Sequence, residues 1–197
     1  MKLEIYLIRH GKTAGNLRGA YIGTTDEPLC KEGIRELESF RQKGYYPPAE
    51  QVASSDLLRC VETARLLYPK QEIRLVPGLR ECGFGAFEGK NYQELNGNPD
   101  YQRWIDSGGA IPFPQGENPL AFRARCWDAF QALCEGMGDG PLAVVCHGGT
   151  IMSVLEQCGE PAGDFYRWQV PNGEGFRFVY DTITRRAAGM QRLGVGN

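Results

Sequence analysis

Short apolar runs punctuate the chain, and their lengths predict strands alternating with helices. Residues 3–8 carry Leu3, Ile5, Tyr6, Leu7 and Ile8 with hardly a polar break, the pattern of a strand covered on both faces. Residues 52–55, 72–76 and 142–146 predict further strands. Residues 175–180 alternate, with Phe176 and Phe178 on one face and Arg177 and Val179 on the other. Elsewhere the period is helical: 31–43 sets Ile34, Leu37 and Phe40 on one face and stops at Gly44, and 56–64 starts from Ser55 or Asp56 as cap. Short helices are expected over 91–107 around Pro99, with Tyr101, Trp104 and Ile105 turned inward. A long helix from 119 to about 137 has Leu120, Phe122, Cys126, Trp127, Phe130 and Leu133 as its core face and ends at Gly136 or Gly138. A last helix covers 149–158. Residues 164–169 form a short aromatic segment, and 171–173 read as a turn.

Two segments break this rhythm. Residues 11–29 hold Lys12, Arg18 and several glycines, a density of cations and flexible positions that suits a pocket wall, although both cations also fit a solvated surface. Residues 82–89 carry Gly83, Gly85 and Gly89, too many for a helix or a strand interior, so a structured loop is expected.

At 197 residues, 42% hydrophobic and 23% charged, the chain fits one α/β domain that buries about 70% of its unfolded surface. With 22 basic against 24 acidic residues it has no global field for nucleic acid or an acidic membrane, so anion binding must come from local clustering. The first strand begins within two residues of Met1 and no apolar run approaches membrane-spanning length; a cytoplasmic protein is expected. The 7 cysteines contain no Cys-x-x-Cys pair and stand apart from clustered histidines, which argues for buried thiols over disulfides or zinc. Cys60 and Cys146 adjoin Arg59 and His147, where oxidation would disturb a site; a nucleophilic role is the weaker reading.

The chemistry concentrates at two strand ends. Arg9-His10-Gly11 follows the first apolar run, and His147-Gly148-Gly149 follows the run 142–146; the chain has only 2 histidines. Ligands of open α/β sheets bind at the carboxyl ends of strands, and glycine there lets backbone N–H groups approach closely. A lone histidine in such a place is usually a satisfied polar residue, but two strands ending in His-Gly can bring two imidazoles together.

Arg-His-Gly-x-Thr followed by Asn16, Ser-Ser-x-x-x-Arg-x-x-x-Thr-Ala ending at Ala64, Leu79-Arg80-Glu81 with the Phe84-Gly85-x-x-Glu88-Gly89 loop, and the second His-Gly-Gly occur in this order. Together they resemble the histidine phosphatase superfamily, the phosphoglycerate mutase-like fold. The resemblance implies a three-layer α/β/α sandwich with a mostly parallel central sheet over residues 1–197, and a final strand after the second histidine at the sheet edge. It implies His10 as nucleophile, Arg9, Arg59 and His147 around the phosphoryl group, and Glu81 as the proton-transferring carboxylate. Asn16, Gly23, Thr24 and the backbone of Gly148 would contact the phosphoryl group or its leaving group. Glu88 reads as structural, bonded to loop N–H groups, and Glu117 as framing the pocket.

Such a set needs no metal or other cofactor. Phosphoryl transfer asks mainly for positioning and charge neutralisation on three equatorial oxygens, which guanidinium forks and an imidazole supply. In-line attack by neutral His10, with Glu81 protonating the leaving alkoxide, gives a phosphohistidine; Glu81 then activates water for its hydrolysis. The short chain and His-Gly-Gly favour a phosphatase of small phosphorylated metabolites over a mutase. The loop patterns look most like α-ribazole-5′-phosphate phosphatases of cobalamin synthesis, although Met152 stands where many of those have arginine. Mutase-type transfer and a non-catalytic phospho-ligand binder are the alternatives, and a monomer or homodimer is expected. Metal binding by the two histidines would need carboxylate partners that the neighbouring sequence lacks.

Overall fold

The computed structural model describes residues 1–160 and 164–193. The end of the expected domain, residues 194–197, lies outside them. Among the described residues six strands form one sheet: β1 (Lys2–Arg9), β2 (Gln51–Ser54), β3 (Ile73–Leu75), β4 (Leu142–Cys146), β5 (Gly175–Asp181) and β6 (Arg186–Leu193). Their order is β3-β2-β4-β1-β5-β6. The first four run parallel to one another, whereas β5 is antiparallel to β1 and β6 to β5. The helices are α1 (Ala14–Leu17), α2 (Lys31–Gln42), α3 (Leu58–Leu67), α4 (Pro99–Asp106), α5 (Pro119–Glu135) and α6 (Gly148–Cys158).

Side-chain alternation along β1 assigns the helices to two faces. Leu3, Ile5 and Leu7 share a cluster with Phe130 and Leu133 of α5 and with Ile151, Val154 and Leu155 of α6. Tyr6 and Ile8 share another with Leu37 of α2 and with Cys60, Ala64 and Leu67 of α3. Each fully buried aliphatic side chain contributes about 1.5–3 kcal/mol, so both faces must be covered and three layers result. A third cluster, including Phe87, Leu95, Phe113 and Phe122, supports the loops.

The parallel pairing of β1 with β4 sets Arg9 opposite Cys146. His10 and His147, the next residues after the two strands, therefore leave the sheet side by side. None of the described helices is long and apolar enough to cross a membrane.

Several expectations need correction. The strand after the second histidine, β5, is interior, and the edge belongs to β6, which the pattern does not reveal. Only Ala187 and Leu193 of β6 are buried, and its pairing shifts register opposite Arg177 and Val179, where Gly189 has φ 68°; a bulge with a left-handed glycine interrupts the alternation. Helix α3 starts later than expected, and its first-turn amide at Leu58 is capped by Asp26 Oδ1 at 2.6 Å, while Asp56 pairs with Arg80. In α4, Ile105 is 46% exposed, and in α5, Leu120 is 72% exposed, so neither faces the core. Residues 91–98 form turns before α4, and α1 adds one capped helical turn inside the loop after β1. The thiols are free, and all but the half-buried Cys30 are buried.

Candidate active site

The backbone of His10 still belongs to the sheet, its N–H donating to the Cys146 carbonyl at 2.9 Å. Its side-chain Nδ1 lies 2.7 Å from the Gly11 carbonyl. A carbonyl only accepts, so Nδ1 carries the hydrogen and Nε2 is left with a bare lone pair. The Gly11 amide donates to Thr63 Oγ1 at 3.0 Å, and that hydroxyl donates to the Arg59 carbonyl at 2.7 Å. Asn172 Nδ2 reaches the His10 carbonyl at 3.1 Å and Asn16 Oδ1 at 3.2 Å. Three separate segments thus fix one imidazole.

A cavity of about 300 Å³ opens beside this ring, walled at one end by Arg9, His10, Asn16, Glu81 and Gly148. His10 keeps 4% of its surface accessible, whereas His147 is sealed behind it. The ring centroids are 5.1 Å apart with planes at 66°. Ser55 Oγ holds His147 Nε2 at 2.9 Å, with Cys60 Sγ 3.4 Å from the same nitrogen. Burial first, and then the Arg59 and Arg9 charges, hold the His10 pKa well below the usual imidazole value. Burial, Arg59, His10 and Arg9 do the same to His147. Both rings are therefore neutral at physiological pH.

The two arginines are anchored through their tips. Arg9 donates to the Val170 carbonyl at 2.7 Å and packs against Gly148, where a Cβ would meet its Cζ at 3.4 Å. Arg59, fully buried, donates to the Thr25 and Gly23 carbonyls, each at 2.8 Å. Both Nε–H groups are buried with no acceptor among the described residues. Buried donors beside a neutral imidazole are what an oxyanion site offers.

Glu81 follows a tight turn, and its carboxylate accepts from the Cys82 amide at 2.9 Å and the Gly149 amide, in the first turn of α6, at 3.1 Å. Burial pushes its pKa up, opposed by those two amides and by Arg9 and Arg59. The carboxyl is thus drawn towards the protonated form in a wall of the cavity, the condition of a general acid.

Gly23 and Thr24 are not brought to this wall. The Gly23 amide donates to Glu88 Oε1 at 2.7 Å, and a Cβ on it would lie 1.9 Å from the Cys82 carbonyl oxygen; it locks two loops together. Thr24 is exposed and lines a neighbouring groove with Arg80 and Glu117. Glu88 also receives the amides of Thr25 and Phe84, the loop-bonding arrangement expected of it. Lys12 is paired with Glu36 at 2.8 Å, and Arg18 is exposed. Glu117 grips Arg125 through both carboxylate oxygens at 2.9 and 2.8 Å, and Arg125 donates to the Gly78 and Arg80 carbonyls at 2.9 and 3.0 Å.

Sequence reasoning missed Ser55, Asn172 and Arg125 as supports, since each reads locally as a cap, a turn or a helix surface. It also missed the aromatic far wall, where Trp104 stacks on Phe113 with centroids 5.0 Å apart and Phe84 meets Phe113 edge-on at 5.0 Å. Among the described residues no group of three or more His, Cys, Asp or Glu is placed to hold a metal ion.

Known proteins are similar to this chain in both sequence and fold. An adenosylcobalamin/alpha-ribazole phosphatase of Escherichia coli (strain K12) is 29% identical, the alignment covering 99% of this chain and 100% of that one. The crystal structure of a putative alpha-ribazole-5′-P phosphatase from the same species superimposes with TM-score 0.83 at 27% identity, covering 98% of this chain and 96% of that one. A phosphoglycerate mutase from Thermus thermophilus gives TM-score 0.71 at 33% identity, covering 98% and 100%. The chain matches the profile of one family across residues 5–191: it belongs to the histidine phosphatase superfamily (branch 1).

Proposed function

We propose that the chain is a phosphomonoesterase that passes the phosphoryl group of a small metabolite through Nε2 of His10, with α-ribazole 5′-phosphate as the leading candidate substrate. The observation that carries this is the bare Nε2, fixed by the Nδ1–Gly11 hydrogen bond at 2.7 Å in a ring that opens to the cavity. Attack forms the N–P bond as the P–O bond to the leaving group breaks, and protonated Glu81 gives its proton to the departing oxygen. The resulting carboxylate takes a proton from water as that water attacks phosphorus, which releases phosphate and restores both groups. Arg9 and Arg59 neutralise charge on the equatorial oxygens and the uncharged His147 stabilises it as a hydrogen-bond donor, with Asn16 and the Gly148 backbone at the rim. Gly23 ties down the loop that Arg59 anchors, through Glu88 on its amide and Arg59 on its carbonyl. On this reading residues 1–197 act as one domain, as a monomer or homodimer in the cytoplasm, without metal, cofactor, nucleic acid or membrane. The aromatic far wall suits the benzimidazole of α-ribazole phosphate, a substrate that the Escherichia coli relative's name shares.

Incubation with a labelled phosphomonoester followed by an alkaline denaturing quench tests the proposal. The expected result is an acid-labile, base-stable phosphoprotein that His10→Ala lacks; release of phosphate without such a species in either protein would overturn it. Mutase-type transfer is the second reading, favoured by the Thermus relative at 33% identity. It predicts conversion of 3-phosphoglycerate into 2-phosphoglycerate in the presence of the bisphosphate, where the phosphatase reading predicts release of inorganic phosphate.

A further inference from the structure

Arg123, in the second turn of α5, lines the same cavity as His10. Its NH1 lies 2.9 Å from Oε1 of Glu156 near the end of α6, and its Cζ sits 3.9 Å over the Phe165 ring. The two charged side chains are 25% and 21% exposed, so solvent does not fully screen the pair. One edge of the planar guanidinium faces Glu156 and one face covers Phe165. The remaining N–H groups have no protein acceptor among the described residues. Among the charged residues of the cavity wall, Arg9 and Glu81 belong to the phosphoryl end, which leaves Arg123 alone for the leaving group.

We infer that Arg123, its charge cancelled by Glu156, is the specificity-determining residue of the site: it donates hydrogen bonds to an uncharged acceptor on the leaving group and turns away leaving groups that carry a second anion. The inference rests on the phosphomonoesterase reading above. A hydroxyl, ring nitrogen or amide oxygen gains a charge-assisted hydrogen bond from the free edge. A carboxylate or second phosphate meets an ion pair in place of a free cation, because Glu156, outside the cavity wall, already compensates the guanidinium. The phosphoglycerates carry such an anion, and a ribosyl leaving group does not.

The test compares kcat/KM for uridine 5′-monophosphate, phenyl phosphate and 3-phosphoglycerate. In Arg123→Gln the ratio of the uridine ester to phenyl phosphate should fall about tenfold, the loss of one charge-assisted hydrogen bond. In Glu156→Gln the ratio of 3-phosphoglycerate to phenyl phosphate should rise about tenfold, and the double variant should lose that gain. Arg123→Met, which keeps the aliphatic stem, carries the same expectation should the glutamine variant fail to fold. Ratios within twofold of the wild type in these variants would overturn the inference. A phosphohistidine on wild-type His10 with unmoved ratios refutes this inference alone, whereas absence of the phosphohistidine refutes the reading beneath it.

Discussion

His10 and His147 meet edge to face, 5.1 Å between centroids and 66° between planes, one ring open to the cavity and the other sealed. On the proposed mechanism the open ring forms the covalent bond and the sealed one stabilises charge. Truncating each should then fail differently. His10→Ala should abolish both turnover and the phosphoprotein. His147→Gln should still form the phosphoprotein but lower kcat about 10²–10³-fold with a smaller change in KM, the usual cost of one donor to a developing oxyanion. Rapid-quench measurement of phosphoprotein formation separates the two, and equal labelling defects in both variants would contradict the division of labour.

The pKa directions of His10 and Glu81 set the pH profile. His10 must be neutral to attack, and its pKa is held well below 6.5 by burial, Arg59 and Arg9, so the acid limb of kcat/KM should lie below that value. Glu81 must be protonated to assist departure, and its pKa is raised from 4.5 by burial, so the alkaline limb should lie above that value. Glu81→Gln should lower turnover of alkyl esters about 10²–10⁴-fold and remove the alkaline limb. With p-nitrophenyl phosphate, whose leaving group needs no proton, the defect should be smaller. An unchanged alkaline limb in the variant would assign that ionisation elsewhere.

The same burial makes stability depend on pH. An unfolded-chain imidazole titrates near about 6.5, and His10 and His147 in the folded chain titrate well below it. As pH falls from that value towards the folded-state pKa values, the unfolded chain takes up protons that the folded one refuses. The stabilisation, complete above the window, is therefore lost through it. Thermal melts from about pH 8 to pH 5 should show Tm falling on the acid side. The slope should be shallower in His147→Gln; an equal slope would place the acid sensitivity in other groups.

What the sequence disclosed divides along physical lines. The buried parallel strands β1 and β4 are legible because both faces are covered, which leaves continuous apolar runs whose ends locate His10 and His147. Helix α2 is legible from its period and from Gly44. Edge strand β6 is not, because one side is solvated and a bulge at Gly189 shifts the alternation. The cap of α3 comes from Asp26, 32 residues upstream, and no local pattern announces a partner that tertiary structure supplies. Arg59 is legible through its motif, but the use of its tips on the Gly23 and Thr25 carbonyls is not. Spacing marks a residue type, whereas the division of its donors between support and substrate is decided by packing.

Arg125 illustrates such support. It donates to the Gly78 and Arg80 carbonyls and is gripped by Glu117, which also accepts from the Gly83 amide at 3.3 Å. The pair therefore splints both sides of Glu81 without reaching the cavity wall around His10. Arg125→Met should lower kcat for alkyl esters about tenfold by loosening the carboxyl, with a smaller effect on p-nitrophenyl phosphate. It should cost roughly 1–3 kcal/mol of stability for the carbonyls left unpaired. Arg125→Lys should recover part of the stability and less of the activity, since one ammonium cannot span the same acceptors. Equal losses on both substrates would mean that the pair supports the fold and not the position of Glu81.

Gly149 offers a sharper probe, because its space and its amide serve the same carboxylate. A Cβ there would lie 2.2 Å from Glu81 Oε1 and 3.0 Å from Phe122 Cζ, both side-chain atoms able to shift. Gly149→Ala should leave a folded protein in which the carboxyl is displaced from the Gly149 amide and from its partner in proton transfer. Turnover of alkyl esters should fall at least tenfold, while the His10 phosphoprotein still forms from p-nitrophenyl phosphate. Gly23→Ala, with its Cβ 1.9 Å from the Cys82 carbonyl oxygen, has backbone in its way, which no side-chain shift relieves. It should forfeit fold stability first, measured as a loss of several degrees in Tm. If Gly149→Ala also lowers Tm as steeply as Gly23→Ala, the carboxyl is rigidly built into the core, and its freedom to give and take a proton across the cavity has to be sought in a different group.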